Sequence, residues 1–148
     1  SSAEEESHTQ IQGVGTATTP TDDYNGYSNT LAIATQEKKA AYNLCQNFTK
    51  PNSGVASTAW YLPAIGQLSV LKDNIDKVNE SLEKIDSADK LPKTNENTNY
   101  WSSSYNKTTL TTTIKFYQLQ YELSSTSFKF RSDIPKNKAG VVRAVLTF

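Results

Sequence analysis

The chain has 148 residues, enough for one domain that buries roughly two-thirds of its unfolded surface around a single core. Its 15 Lys and Arg balance 15 Asp and Glu with no continuous basic patch, which argues against nucleic acid as a partner. No apolar run reaches the roughly 20 residues that cross a bilayer, and the first residues are acidic and polar, unlike a basic-then-apolar signal, so no direct membrane insertion is expected. A lone cysteine, Cys45, leaves neither an internal disulfide nor a cysteine-rich zinc site.

Residues 1–23 hold Glu4, Glu5 and Glu6, then a stretch rich in Gly, Thr and Pro. They are expected to be a disordered or loosely attached leader, with Ile11 and Val14 the only hint of a short strand. Asp22 to Asn29 is dense in turn formers and reads as a loop. From Gln36 to Phe48, apolar Ala40, Ala41, Leu44, Cys45 and Phe48 fall on one face of a first amphipathic helix, which makes Cys45 a buried small hydrophobe. Pro63 suits the first turn of a second helix. Ile65, Leu68, Leu71, Ile75, Val78, Leu82 and Ile85 then form one stripe, with a break near Lys72 to Asn74.

Beyond Leu91-Pro92 the pattern becomes extended. Tyr100 to Ser103 reads as a short strand, and Phe128 and Phe130 alternate with polar residues in another. Between Ile114 and Leu123 the apolar residues change phase, and a one-residue bulge would bring both sets to the core side. Val142, Ala144, Leu146 and Phe148 line one face of a terminal strand whose other face is apolar enough for a place inside a sheet. Helices followed by strands in this order predict an α+β fold.

Catalytic chemistry finds little purchase. The only histidine, His8, lies in the acidic leader, away from any nucleophile it could serve. Asp22 and Asp23 read as solvated loop carboxylates, and an EF-hand counted from Asp23 would close on Ala34, which has no side-chain oxygen. Gly13-Val14-Gly15 lacks the third glycine of a phosphate cradle. Asn47, Asn79 and Asn106 begin Asn-x-Ser/Thr triplets, and Asp86-Ser87-Ala88 fits a short O-glycosylation motif of Bacteroides, both patterns of low specificity. The chain is expected to be no enzyme and to need no metal or cofactor.

Three islands remain: Gly26-Tyr27-Ser28-Asn29-Thr30; Trp60-Tyr61-Leu62-Pro63 with Gln67-Leu68 and Leu71; and Tyr100-Trp101-Ser102-Ser103 with Val142-Arg143-Ala144-Val145. In this order and spacing, residues 24–148 resemble the bacterial C-type-lectin-like domain typified by the C-terminal domain of the Legionella collagen-like adhesin, in a form similar to surface proteins of gut Bacteroides. The resemblance implies a C-type-lectin-like fold with two helices packed on a small, twisted, mostly antiparallel sheet. It also implies that Trp60 and Trp101 are core landmarks and that Arg143 has a structural partner. This chain departs from animal C-type lectins, lacking their disulfides and a Trp-Asn-Asp run, and from formylglycine-generating enzymes, lacking their cysteines. A further tryptophan and a glycine that many relatives carry before the terminal strand are absent between Ser104 and Lys138.

Between Thr94 and Ser127, 22 of 34 residues are Asn, Tyr, Ser or Thr, a vocabulary suited to adaptable contacts at low entropic cost. The same fold serves as scaffold for diversity-generating retroelements, and on that basis Tyr105, Asn106, Lys107, Tyr117, Gln118, Gln120, Lys129 and Arg131 are expected on a displayed ligand-binding surface. A plain polar sheet face is the alternative. The functional expectation is a secreted or cell-surface adhesion module whose partner is a protein or glycan on another surface. A structural or pilus-tip subunit, in which the same surface meets another copy as an oligomer, is the second reading. The acidic start also permits an outer-membrane lipoprotein whose anchoring cysteine lies upstream.

Overall fold

The computed structural model describes residues 2–3, 16–33, 43–45, 60–86, 88, 90–91, 98–106, 115–135 and 140–145. In chain order the elements are β1 (Ser2–Ala3), β2 (Thr16–Ala17), α1 (Gly26–Ile33), α2 (Ile65–Asp73), α3 (Ile75–Leu82), β3 (Thr98–Asn106), β4 (Lys115–Glu122), β5 (Ser127–Pro135) and β6 (Gly140–Val141). The fold is α+β, with helices packed on a mixed sheet. Three long strands, β3, β4 and β5, make an antiparallel meander. At the other side of β3, β6 pairs in parallel at Tyr100 and β2 pairs in parallel at Tyr105 and Asn106. β1 adds antiparallel to β6, giving the order β1-β6-β3-β4-β5.

The second predicted helix forms as α2 and α3, interrupted where a break was expected. Asn74 sits between them at φ −120°, ψ 21°, and its Nδ2 donates to the Val70 carbonyl at 3.0 Å. Ile65 and Leu68 are fully buried, while Leu71, Ile75, Val78 and Leu82 pack on the same cluster from its margin. Ile85 falls past the last helical turn and is exposed. At the close of α3, Asn79 clamps the returning chain through Nδ2 to the Leu91 carbonyl and Oδ1 from the Leu91 N–H. Of the first predicted helix only 43–45 are described; they are helical, and Cys45 is buried as expected.

Both faces of the sheet are covered. Under α2 lie Ala17, Tyr100, Tyr117 and Leu119, with Phe128, Phe130 and Val141 beside them. On the other face Trp101 and Phe116 meet edge to face at a centroid distance of 6.0 Å, joined by Cys45, Leu62, Ile134, Val142 and Ala144. The Phe116 and Leu119 phases therefore serve opposite cores, and β4 needs no bulge to bury both. The irregularities fall on its neighbours. Between Trp101 and Tyr105, β3 advances four residues against two on β4, and between Ile134 and Arg131, β5 advances three against two. Trp101 is buried and Trp60 half-buried. Val145 closes on Tyr61 by two backbone hydrogen bonds of 2.9 and 3.0 Å.

Two sequence expectations change. Residues 26–33, read partly as a loop, are helical, and the described end of the expected leader is tied in: Ala17 is fully buried and Thr16–Ala17 pairs with β3. The reason for both lies at Asp23, read as a solvated carboxylate and found buried. Its Oδ1 accepts from the Asn25 N–H at 2.9 Å, and its Oδ2 from Asn29 Nδ2 at 2.8 Å and Ser104 Oγ at 2.6 Å. Its backbone carbonyl accepts from the Gly66 N–H at 2.8 Å. Ser104 Oγ in turn accepts from the Ile65 N–H at 2.9 Å, and the Gln67 side chain accepts from the Ala64 N–H at 3.0 Å. The N-terminus of α2, which starts on Ala64 without a capping oxygen of its own, thus has the Ile65 and Gly66 N–H groups satisfied by the distant Ser104 and Asp23, and that of Ala64 by Gln67 in its own first turn.

Gly26 makes the close approach possible, because a Cβ there would stand 2.7 Å from the Ala64 nitrogen and 2.9 Å from the Leu62 carbonyl oxygen. Removing Asp23 strands several buried donors at once. Asp23→Ala is expected to lower stability by about 3 kcal/mol or more, and Ser104→Ala by about 1–2 kcal/mol, in denaturant unfolding. Equal, small effects of the two substitutions would contradict this account.

Candidate functional site

The polar end of the β3–β4–β5 meander brings three of the expected ligand-binding residues together. Cross-strand register sets Asn99 beside Gln120 and Gln120 beside Lys129. One row along, Trp101, Gln118 and Arg131 stand side by side. Because side chains on a strand alternate faces, both rows project to the side that carries the Trp101–Phe116 cluster. There the apolar cover gives way to a polar strip of Gln120, Glu122, Lys129, Arg131 and Asp133.

Hydrogen bonds stiffen the strip internally. Arg131 Nη1 donates to Gln120 Oε1 at 3.3 Å, and its Nε to Asp133 Oδ1, also at 3.3 Å. Lys129 Nζ reaches Glu122 Oε2 at 2.6 Å. The Lys129 ammonium holds the Glu122 carboxyl below the usual carboxylate range, and the Arg131 guanidinium does the same for Asp133. Exposed ion pairs of this kind contribute little to stability. Their effect is to hold two cations, Lys129 and Arg131, between two anions, Glu122 and Asp133.

Other expected members lie elsewhere. Asn106, Tyr117 and Gln118 are buried, not displayed. Asn106 Nδ2 donates to the Ser132 carbonyl at 3.0 Å, at the irregular stretch of β5. Tyr117 lies in the core under α2 and its hydroxyl donates to the Thr18 carbonyl at 3.1 Å. Burial raises the Tyr117 phenol, with the Asp22 charge adding to the effect. Gln118 is sealed between Trp101 and Gly140. Tyr105 is half-buried against the Trp101 cluster, and Lys107 lies outside the described residues. Asn79 and Asn106, two of the Asn-x-Ser/Thr asparagines, spend their amides on internal hydrogen bonds.

Glu122 and Asp133 complete the strip and were missed from the sequence; their signal was one acidic residue on each of two adjacent strands within reach of Lys129 and Arg131. The turn at its end, residues 123–126, holds Thr126 at φ 49°, the left-handed region that a β-branched residue rarely enters. A second surface was also missed. Tyr24, Tyr27 and Leu31 stand exposed on one side of α1 and its approach, with Val70 of α2 exposed nearby, one turn past the Gly66 on which the Tyr24 ring rests. Their spacing is helical, and reading the segment as a loop concealed it.

The remaining titrating groups are structural. Asp22 takes four hydrogen bonds from the Thr18 and Thr19 hydroxyls and N–H groups, and the Thr18 hydroxyl above all lowers its carboxyl to about 2. Burial pushes the Cys45 thiol up to about 12. Among the described residues no group of three or more His, Cys, Asp or Glu could hold a metal ion, and no helix is long and apolar enough to cross a membrane. No family model, no curated protein and no solved structure matches this chain.

Since its folded pKa lies below the ordinary 3.8, Asp22 adds stability that is present above about pH 4 and lost as pH falls towards about 2. Thr18→Val is expected to move the Asp22 titration up towards 3.8, read by carboxyl NMR. Thr126→Asn, which tolerates the left-handed region, is expected to raise stability by about 0.5–1 kcal/mol.

Proposed function

We propose that this chain is a non-enzymatic, surface-displayed binding module with a C-type-lectin-like fold, and that the strip of Gln120, Glu122, Lys129, Arg131 and Asp133 meets its protein or glycan ligand. The observation that carries the reading is the joining of the three sequence islands. Thr30 Oγ1 accepts from the Leu62 N–H at 3.0 Å, the Ser103 N–H donates to the Pro63 carbonyl at 2.9 Å, and Asn29 Nδ2 donates to Ser103 Oγ at 3.2 Å. Residues scattered over the sequence thus form one frame, and motifs that serve a common frame are what a shared fold requires. The frame does not draw on the polar face of the β4–β5 end.

That strip has the chemistry of a recognition surface. It offers amide donors and acceptors, a guanidinium and an ammonium, held on strands and not on loops, which lowers the entropy lost on binding. Extracellular display, and diversification of the strip by a retroelement, belong to the same proposal. A copy of the last third of the gene lying near it and differing only at adenines would support the diversification; no such copy would remove it.

Assembly with other copies is the second reading, favoured by the exposed Tyr24, Tyr27, Leu31 and Val70. The two readings place the contact on different faces. A screen of the full chain against glycan arrays and extracellular proteins is expected to yield a ligand whose affinity falls at least ten-fold, about 1.4 kcal/mol, in the Gln120→Ala/Lys129→Ala/Arg131→Ala variant. Tyr27→Ser/Leu31→Ser is expected to leave that affinity unchanged. A discrete oligomer in solution that Tyr27→Ser/Leu31→Ser dissociates would instead favour the assembly subunit.

A further inference from the structure

Two nitrogen atoms inside the sheet have no acceptor among the described residues. Trp101 Nε1 and Gln118 Nε2 are both sealed from solvent and hydrogen-bond to nothing among the described residues. Each such orphan costs about 1–3 kcal/mol, and buried donors in native proteins are rarely left so. These two are neighbours. Trp101 and Gln118 face each other across β3 and β4, and both point at Gly140 on β6, 2.5 and 3.1 Å from where a Cβ would stand.

We propose that the space between the indole, the amide and Gly140 binds one internal water molecule. The two nitrogens can be no farther apart than the sum of their distances to that common point, a gap one oxygen can bridge with two hydrogen bonds of about 2.9 Å. A water oxygen has two lone pairs, one for each donor, and internal waters occupy sites of this kind. The occupant is neutral because the surroundings are Cys45, Leu62, Phe116, Val142 and Ala144. An anion there would lose its hydration while the neighbouring Arg131 guanidinium is engaged by Asp133 and Gln120, and burial raises the Cys45 thiol to about 12.

Gly140 is the condition for the site, since a methyl group at that position would strike the indole nitrogen. The site does not depend on the recognition reading, although its Gln118 amide lies in the same cross-strand row as Arg131.

The test is water-selective NMR on the 15N-labelled full chain, with Trp60→Phe used to assign the Trp101 indole signal, alongside a high-resolution crystal structure. The expected result is a long-lived water cross-peak at the Trp101 indole proton and an ordered density peak within hydrogen-bond distance of both nitrogens. Gln118→Leu, which removes one donor and keeps the side chain's bulk, is expected to abolish the cross-peak while the remaining amide spectrum stays dispersed. An indole proton with no water cross-peak in the unaltered chain would overturn the proposal. So would density in which the Gln118 amide is turned to accept directly from the indole, or a cross-peak that survives Gln118→Leu unchanged.

Discussion

A single buried carboxylate organises the architecture. Asp23 takes hydrogen bonds from the start of α1, from Asn29 one turn further on, and from Ser104 on β3, while its carbonyl holds the start of α2. A carboxyl group in a dry interior is tolerated only when its oxygens are hydrogen-bonded, and here they are bonded by donors that no local segment could supply together. The first turns of two helices point partial positive charge in its direction. Fixing one side chain therefore fixes the angle between both helices and the sheet.

The sheet answers that constraint by bending. Ser102, Ser103 and Ser104 occupy the stretch where β3 outruns β4, and their hydroxyls replace ladder bonds: Ser102 Oγ donates to the Tyr117 carbonyl at 2.7 Å, and Ser104 Oγ donates to Asp23. Small side chains let β3 pass beneath α1 and α2 without opening a void. Beyond this crowded region the strands run on towards the hairpin turn with one face covered by helices and the other polar. The frame and the candidate strip are therefore separate parts of the same strands.

Periodic apolar residues were readable in the sequence. The stripe from Ile65 to Leu82 and its interruption at Asn74, the burial of Cys45 and the opposite faces of Val141 and Val142 all follow from spacing alone. What escaped was set by tertiary partners. Asn25, Gly26 and Asn29 are turn formers by propensity, yet α1 exists because Asp23 and Leu62 hold Asn29 and Thr30 in place. Asn106, Tyr117 and Gln118 looked like display residues because polarity usually means exposure, yet Tyr117 packs under α2, Gln118 pairs with the buried Trp101 on the other covered face, and Asn106 bonds the irregular stretch of β5. Gln120, Lys129 and Arg131 lie near one another because plain alternation holds beyond the irregular stretch.

The outer position of β5 among the described strands has a further bearing on self-association. A bare strand edge invites the edge of a neighbouring copy. Here the extra residue opposite Tyr117 breaks the flat run, Lys129 and Arg131 place like charges along it, and Pro135 closes it with a residue that has no N–H to donate. Copies of the chain at high concentration would therefore gain little from stacking side by side along β5.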